Sequence, residues 1–199
     1  MPAGPVAVDA VPLPQPILRT RRLVLRPFEL RDAARVSELA GDRDVAATTL
    51  RIPHPYEAWM AEEWIADHRM SYEDGTLANF AITTADAGVI GSIGLSLHRD
   101  HQRGEMGYWI GKPYWGKGYV SEAAREVLRF GFEELGLHRI HAHHMTVNPA
   151  SGAVLKKLGM THEGTLRHHT LKWGEFHDIE CYGILAAEFS AASSRPEVT

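Results

Sequence analysis

Gly116 and Gly118 flank Lys117 at the point where an apolar strand-like run gives way to a helical pattern. Glycines reach backbone angles closed to other residues, and without side chains they let main-chain N–H groups converge on one point. A helix that starts there adds its unpaired N–H groups and the positive end of its dipole, so phosphate or pyrophosphate is the natural guest. Lys117 supplies a counter-charge. Two glycines before a helix also read as a plain tight turn, and the context has to decide between the two. The chain contains no GxxxxGK[ST], and no GxGxxG opens a strand–helix–strand unit with a later acidic residue. A P-loop nucleotide and a dinucleotide are therefore not the expected phosphate carrier.

Two further groups of residues invite chemistry. In His141-Ala142-His143-His144, the strand period puts His141 and His143 on one face, a spacing open to two metal ligands. No carboxylate or third histidine is fixed near them by the sequence, so no metal is expected. A histidine there is also open to work as a base, because its titration lies in the physiological range. Cys181 is the only cysteine, which excludes an internal disulfide and a zinc–cysteine cluster. Its strand-like flanks suggest a buried structural thiol.

These residues have to be positioned by the chain around them. At 199 residues and 44% hydrophobic, the chain can build one core of about 150–180 residues. The expected organisation is a flexible tail over 1–16, one domain over 17–189 and a tail over 190–199, since the ends are rich in proline or in small polar residues. The net charge is −4, with no dense basic run beyond Arg19, Arg21 and Arg22, which disfavours nucleic acid as partner. Partial protonation of twelve histidines shifts that balance upward in acid. No apolar run reaches membrane-spanning length and no signal-like start is visible, so a cytoplasmic location is expected.

Alternation predicts a strand at Arg22–Pro27 with Leu23 and Leu25 on one face. A helix follows from Ala33 to Ala40 and stops at Gly41, then a proline-containing loop at Arg51–Tyr56 and a second helix at Glu57–Met70 with Trp64, Ile65 and His68 as core. Phe80–Thr84, Val89–Leu97 and Glu105–Ile110 form an antiparallel meander; Val120–Leu135 is the strongest helix. A strand at Arg139–Thr146, a helix at Ala150–Leu158 and a hairpin around Trp173–Gly174–Glu175 with about seven residues on each side complete the pattern. The fold class is α/β, and the ligand is expected where the sheet changes partners.

The run from Tyr108 to Met160, with WGKGYVSEA, the HRI strand and NPASGAVLKKLGM, resembles the GNAT acyl-CoA-dependent N-acetyltransferases. HEGTLRHHTLKWGEFHDIECYGIL and the opening RLVLRPF are similar to the RimJ/RimL branch, which acetylates N-terminal amines of ribosomal proteins. The resemblance covers nearly all of Thr20–Leu185. It implies a GNAT fold, a mixed central sheet of about seven strands with about four helices, acetyl-CoA as co-substrate and a primary amine as acceptor. The acceptor expected first is a protein or peptide N-terminal α-amine, a ribosomal protein included. A small-molecule amine, and a non-catalytic acyl-CoA-binding regulatory module, stay open beside it, as does a homodimeric assembly.

The resemblance also implies residues. The family's pyrophosphate loop falls on Pro113–Gly118, where Gly116 and Gly118 match and Pro113 replaces a polar residue. Proline has no N–H, so the amides of Trp115, Gly116, Lys117, Gly118, Tyr119 and Val120 are left to bind phosphate. The coenzyme's amide arm is expected along the strand edge at Trp109, Ile110 and Gly111, with Asn148 bonding to it; Asn148 before Pro149 is also a plain turn residue. The family's proton-donating tyrosine position holds Leu155, which cannot donate. A serine matching Ser151 stands near the thiolate in RimL-like enzymes, so Ser151 is the candidate acid, with helix capping as its structural alternative. The RimL-like glutamate position holds Lys112. Glu105 is then the nearest candidate base, with Glu163 and Asp178 behind it.

Overall fold

The computed structural model describes residue 11 and residues 13–193. Alternation in RLVLRP sends Leu23 and Leu25 into the core while Val24 stays half-buried. This run forms β2 (Val24–Arg26), and a two-residue strand that no sequence pattern reveals, β1 (Leu18–Arg19), pairs antiparallel with it. Four helices follow where the pattern predicts two: α1 (Ala33–Ala40), α2 (Arg43–Ala47), α3 (Ala58–Ala66) and α4 (His68–Glu73). α1 stops at Gly41 as expected. The short α2 is capped by Asp42, whose carboxylate accepts from the Asp44 N–H at 2.8 Å. The predicted Glu57–Met70 helix is divided at Asp67, and Ile65 and His68 are buried as expected.

The meander is β3 (Leu77–Thr84), β4 (Gly88–His98) and β5 (Arg103–Ile110), antiparallel throughout. α5 (Tyr119–Arg129) ends earlier than predicted, because the backbone widens into a π-helical turn over Phe130–Glu134. β6 (Arg139–Met145), α6 (Pro149–Lys157), β7 (Thr161–Lys172), β8 (Glu175–Leu185) and α7 (Ala186–Ser193) follow. The hairpin strands are longer than the expected seven residues. Its turn places Trp173 and Gly174 at φ +51° and +86°, a two-residue connection that lets pairing start at Lys172 and Glu175.

Among the described residues, eight strands form one sheet in the order β1-β2-β3-β4-β5-β6-β8-β7. That is one strand more than expected, and β1 accounts for it. Helices cover both faces. Phe80, Ile93, Val127, Leu128 and Ile140 pack on the α5 side, and Val36, Ala61, Ile65 and Ala81 on the α1–α3 side. Among the described residues, no helix is long and apolar enough to cross a membrane.

The inner ends of the expected tails meet described structure. Val11 is buried in the core and Gln15 Nε2 donates to Asn79 O at 2.8 Å, so part of 1–16 docks on the domain. α7 carries the chain to Ser193, past the expected boundary at 190. The remainder of both predicted tails, 1–10, 12 and 194–199, lies outside the described residues.

Candidate active site

Among the described residues β5 and β6 are the only parallel neighbours, and they pair for three positions, Arg103–Arg139 to Glu105–His141. Beyond Glu105 the strands part, and a cavity of about 1100 Å³ opens between them. Register decides which groups line it. The Gly111 N–H donates to Ile90 O at 2.9 Å, so main-chain groups of Gly111 and Trp109 turn toward β4. Alternation then turns those of Tyr108 and Ile110 toward the opening. Of the expected edge residues, only Ile110 offers its backbone there, and its carbonyl already accepts from the Trp115 indole Nε1 at 2.8 Å. Tyr108, which sequence reasoning did not single out, supplies the other exposed edge.

The glycine loop is built as its residue types require. Gly116 and Gly118 adopt φ +72° and +76°, and Gly118 is the residue from which α5 starts. The first helical bond is Glu122 N–H to Gly118 O at 3.1 Å, which leaves the amides of Tyr119, Val120 and Ser121 unpaired within the helix. Trp115 departs from expectation: its N–H donates to Lys112 O at 3.2 Å, closing the 3-10 turn that holds Pro113. Lys117 is exposed, its Nζ 5.5 Å from the Tyr114 ring centre.

A second cation, Arg22, stands beside Gly118 and was not legible as a site residue. Its guanidinium donates to Glu122 at 2.7 Å and to Lys117 O at 3.1 Å, and lies 4.6 Å from the Tyr119 ring centre. Burial pushes the Glu122 titration up, but hydrogen bonds from Thr20 and Arg22 outweigh it and hold the carboxyl below its ordinary value.

α6 closes the opening from the Tyr108 side. Asn148, and not Ser151, caps it: the Asn148 side-chain oxygen accepts from the Ser151 N–H at 3.2 Å. The Asn148 amide also donates to Thr48 O at 3.2 Å, which leaves it one N–H to give. Ser151 Oγ lies 2.7 Å from the Tyr108 hydroxyl. Burial pushes the Tyr108 phenol up to about 12, against the hydrogen bond to Ser151. Leu155 is fully buried in the core, so that helix position does not face the cavity.

The other face of the sheet carries Glu105, which shares its strand parity with Trp109, the residue that packs against the cluster of α1 and α3. His141 Nε2 and His143 Nδ1 each lie 3.7 Å from its carboxylate, and Arg51 lies 3.9 Å away. His141 above all, then the charges of His143 and Arg51, hold Glu105 below the usual carboxylate value against partial burial. Glu105 and His143 line the cavity; Glu163 and Asp178 do not. Glu163 is engaged by Arg139 at 2.6 Å and Asp178 by the His168 N–H at 2.7 Å. Lys112 points away to Asp44, at 2.5 Å. Tyr56, Trp59 and Trp64 form a wall on this side, while Ser92, Gly94 and Gly107 leave the floor low. Lys172 Nζ donates to Thr49 O at 2.5 Å and Ile52 O at 3.1 Å, pinning the loop that carries Arg51.

The sheet parts beside a left-handed glycine loop, with a helix start at one end and a cavity reaching both faces. The acetyltransferase (GNAT) domain family matches residues 22–161, and the chain belongs to that family. It is 31% identical to the putative ribosomal N-acetyltransferase YdaF of Bacillus subtilis, over 84% of this chain and 93% of the relative. Among solved structures, a GNAT-family acetyltransferase from Bacillus anthracis superposes with TM-score 0.77 at 27% identity, covering 86% of this chain and 99% of the other. RimL, a ribosomal L7/L12 α-N-protein acetyltransferase in complex with coenzyme A, shares the fold with TM-score 0.79 at 16% identity, over 85% and 98% of the two chains. The protein is an acetyl-CoA-dependent N-acetyltransferase.

Proposed function

We propose that the enzyme acetylates a weakly basic primary amine, foremost the N-terminal α-amine of a protein or peptide, by direct attack on acetyl-CoA in a ternary complex. The coenzyme would lie with its pyrophosphate on the amides from Gly116 to Val120, with Arg22 and Lys117 as counter-charges. Its amide arm would run along the backbone of Tyr108 and Ile110, and the remaining Asn148 N–H would meet it. Its sulfur would then sit near Ser151, whose hydroxyl and its Tyr108 partner can donate to the departing thiolate. Nitrogen attack forms the N–C bond as the C–S bond breaks.

One observation carries the acceptor reading. Glu105, the carboxylate at the opening, is already engaged by two histidines and an arginine and is a weakened base. The acceptor must therefore arrive largely neutral. With an α-amine pKa of about 7.7–8.0 against about 10.4 for lysine, roughly one α-amine in seven is neutral at pH 7, against about one lysine in 2,500. The similarity to YdaF supports the same class. A small-molecule amine is the second reading, favoured by the aromatic wall of Tyr56, Trp59 and Trp64. Thiol release from acetyl-CoA, measured with matched peptides whose N-termini are free or blocked, tests the proposal. Turnover on free N-termini that vanishes on blocking supports it; strong acetylation of lysine in blocked peptides overturns it.

A further inference from the structure

Four groups that titrate or carry charge converge on the acceptor face of the strand opening from three elements. Glu105 comes from β5, His141 and His143 from β6 and Arg51 from the pinned loop; His169 of β7 adds its field to His143. They are not equivalent. His141 presents Nε2 to Glu105 while its Nδ1 is buried without a hydrogen-bond partner among the described residues, so both of its nitrogens are turned from the cavity or spent. His143 has the reverse arrangement. It lines the cavity and turns Nδ1 to Glu105 Oε1 at 3.7 Å, which leaves Nε2 for a substrate.

We infer that His143, not Glu105, is the group that takes the proton from the acceptor amine, and that Glu105 is its positioning residue. A carboxylate beside Nδ1 favours the tautomer with its proton on that nitrogen, which leaves the Nε2 lone pair free. As the amine nitrogen bonds to the thioester carbon and the sulfur departs, one amine proton passes to Nε2. Ser151 and Tyr108 stabilise the thiolate on the opposite face, and the imidazolium later returns its proton to solvent. Burial lowers the His143 titration below its ordinary 6.5, with His141, Arg51 and His169 adding to that and Glu105 opposing it. The ring is thus neutral and ready at pH 7, a condition a general base needs.

This assignment rests on the transferase reading but not on the acceptor class, so the test uses whichever amine of a peptide, lysine and polyamine panel the wild-type enzyme turns over fastest. The measurement is kcat against pH from 5 to 9 for wild type, His143→Gln and Glu105→Gln, with acetyl-CoA affinity as the control for folding. The expected wild-type profile has an acid limb below pH 6.5. His143→Gln loses that limb and about 10²–10⁴-fold in kcat at pH 7. Glu105→Gln keeps the limb but moves it to lower pH, because the carboxylate that raises the His143 titration is gone. A limb abolished in Glu105→Gln and retained in His143→Gln makes Glu105 the base and overturns the inference. Unchanged kcat in a coenzyme-binding His143→Gln overturns it as well.

Discussion

Acidifying the solution should destabilise the domain through His68, at the back of the acceptor cavity. His68 is 6% exposed, with Trp64 4.4 Å and Phe28 5.5 Å away between ring centres. The Ser92 hydroxyl donates to Asn79 Oδ1 at 3.0 Å, so the Asn79 amide nitrogen faces His68 Nε2 as a donor at 3.2 Å. Nε2 must accept, and a protonated ring would set N–H against N–H. Burial accordingly pushes the His68 titration down from 6.5 to about 4. Because the folded value lies below the unfolded one, the unfolded chain binds more protons between these limits. The stabilisation is complete above pH 6.5 and is lost as pH falls toward 4. A gap of about 2.5 units at about 1.4 kcal/mol each corresponds to about 3.5 kcal/mol in full, of which about 3 kcal/mol is lost by pH 4. Urea unfolding of wild type and His68→Gln, measured at intervals from pH 7 to 4, isolates this group, since glutamine can accept from Asn79 without titrating. The wild type should lose about 3 kcal/mol more than the variant over that range. Parallel stability curves would refute the buried neutral histidine.

The two hydroxyls proposed to meet the coenzyme sulfur, Ser151 and Tyr108, should separate by kinetics. Ser151→Ala should lower kcat more than tenfold with acetyl-CoA affinity within a few-fold, as loss of a proton donor predicts; equal losses of affinity and stability would point to a packing role instead. Tyr108→Phe removes the 2.7 Å partner of Ser151 but not the backbone edge, so kcat should fall several-fold with Kd for acetyl-CoA unchanged, a result read by single-turnover kinetics and calorimetry.

What the sequence disclosed were features set by near neighbours. The stop of α1 at Gly41, the antiparallel meander and the left-handed glycines before α5 all follow from local backbone requirements. What it concealed depends on register or on distant pairing. β1 is too short to show alternation. Tyr108 looked like one more apolar strand residue until its parity turned its backbone to the opening and its hydroxyl to Ser151, 43 positions away. Arg22 belongs to the coenzyme loop only because Glu122, a hundred residues on, holds it there. Trp115 was expected to offer its amide, but a 3-10 turn at Pro113 consumes it and the indole serves Ile110 instead. The sequence marks Glu105 as the nearest candidate base but not its neighbours; the parallel pairing of β5 with β6 surrounds it with His141 and His143.

If the parted strands and the glycine loop form the acetyl-CoA site, Gly118→Val must abolish coenzyme binding. A β-branched residue at φ +76° is strained, and its side chain would enter the space where phosphate oxygens meet the α5 amides, with the Arg22 guanidinium already 3.6 Å from the added Cβ. Calorimetric titration of acetyl-CoA into wild type and into a variant shown by circular dichroism to be folded gives the answer. A saturable isotherm is expected for the wild type and no detectable heat of binding for Gly118→Val. Equal affinity in the two folded proteins would contradict that assignment of the site.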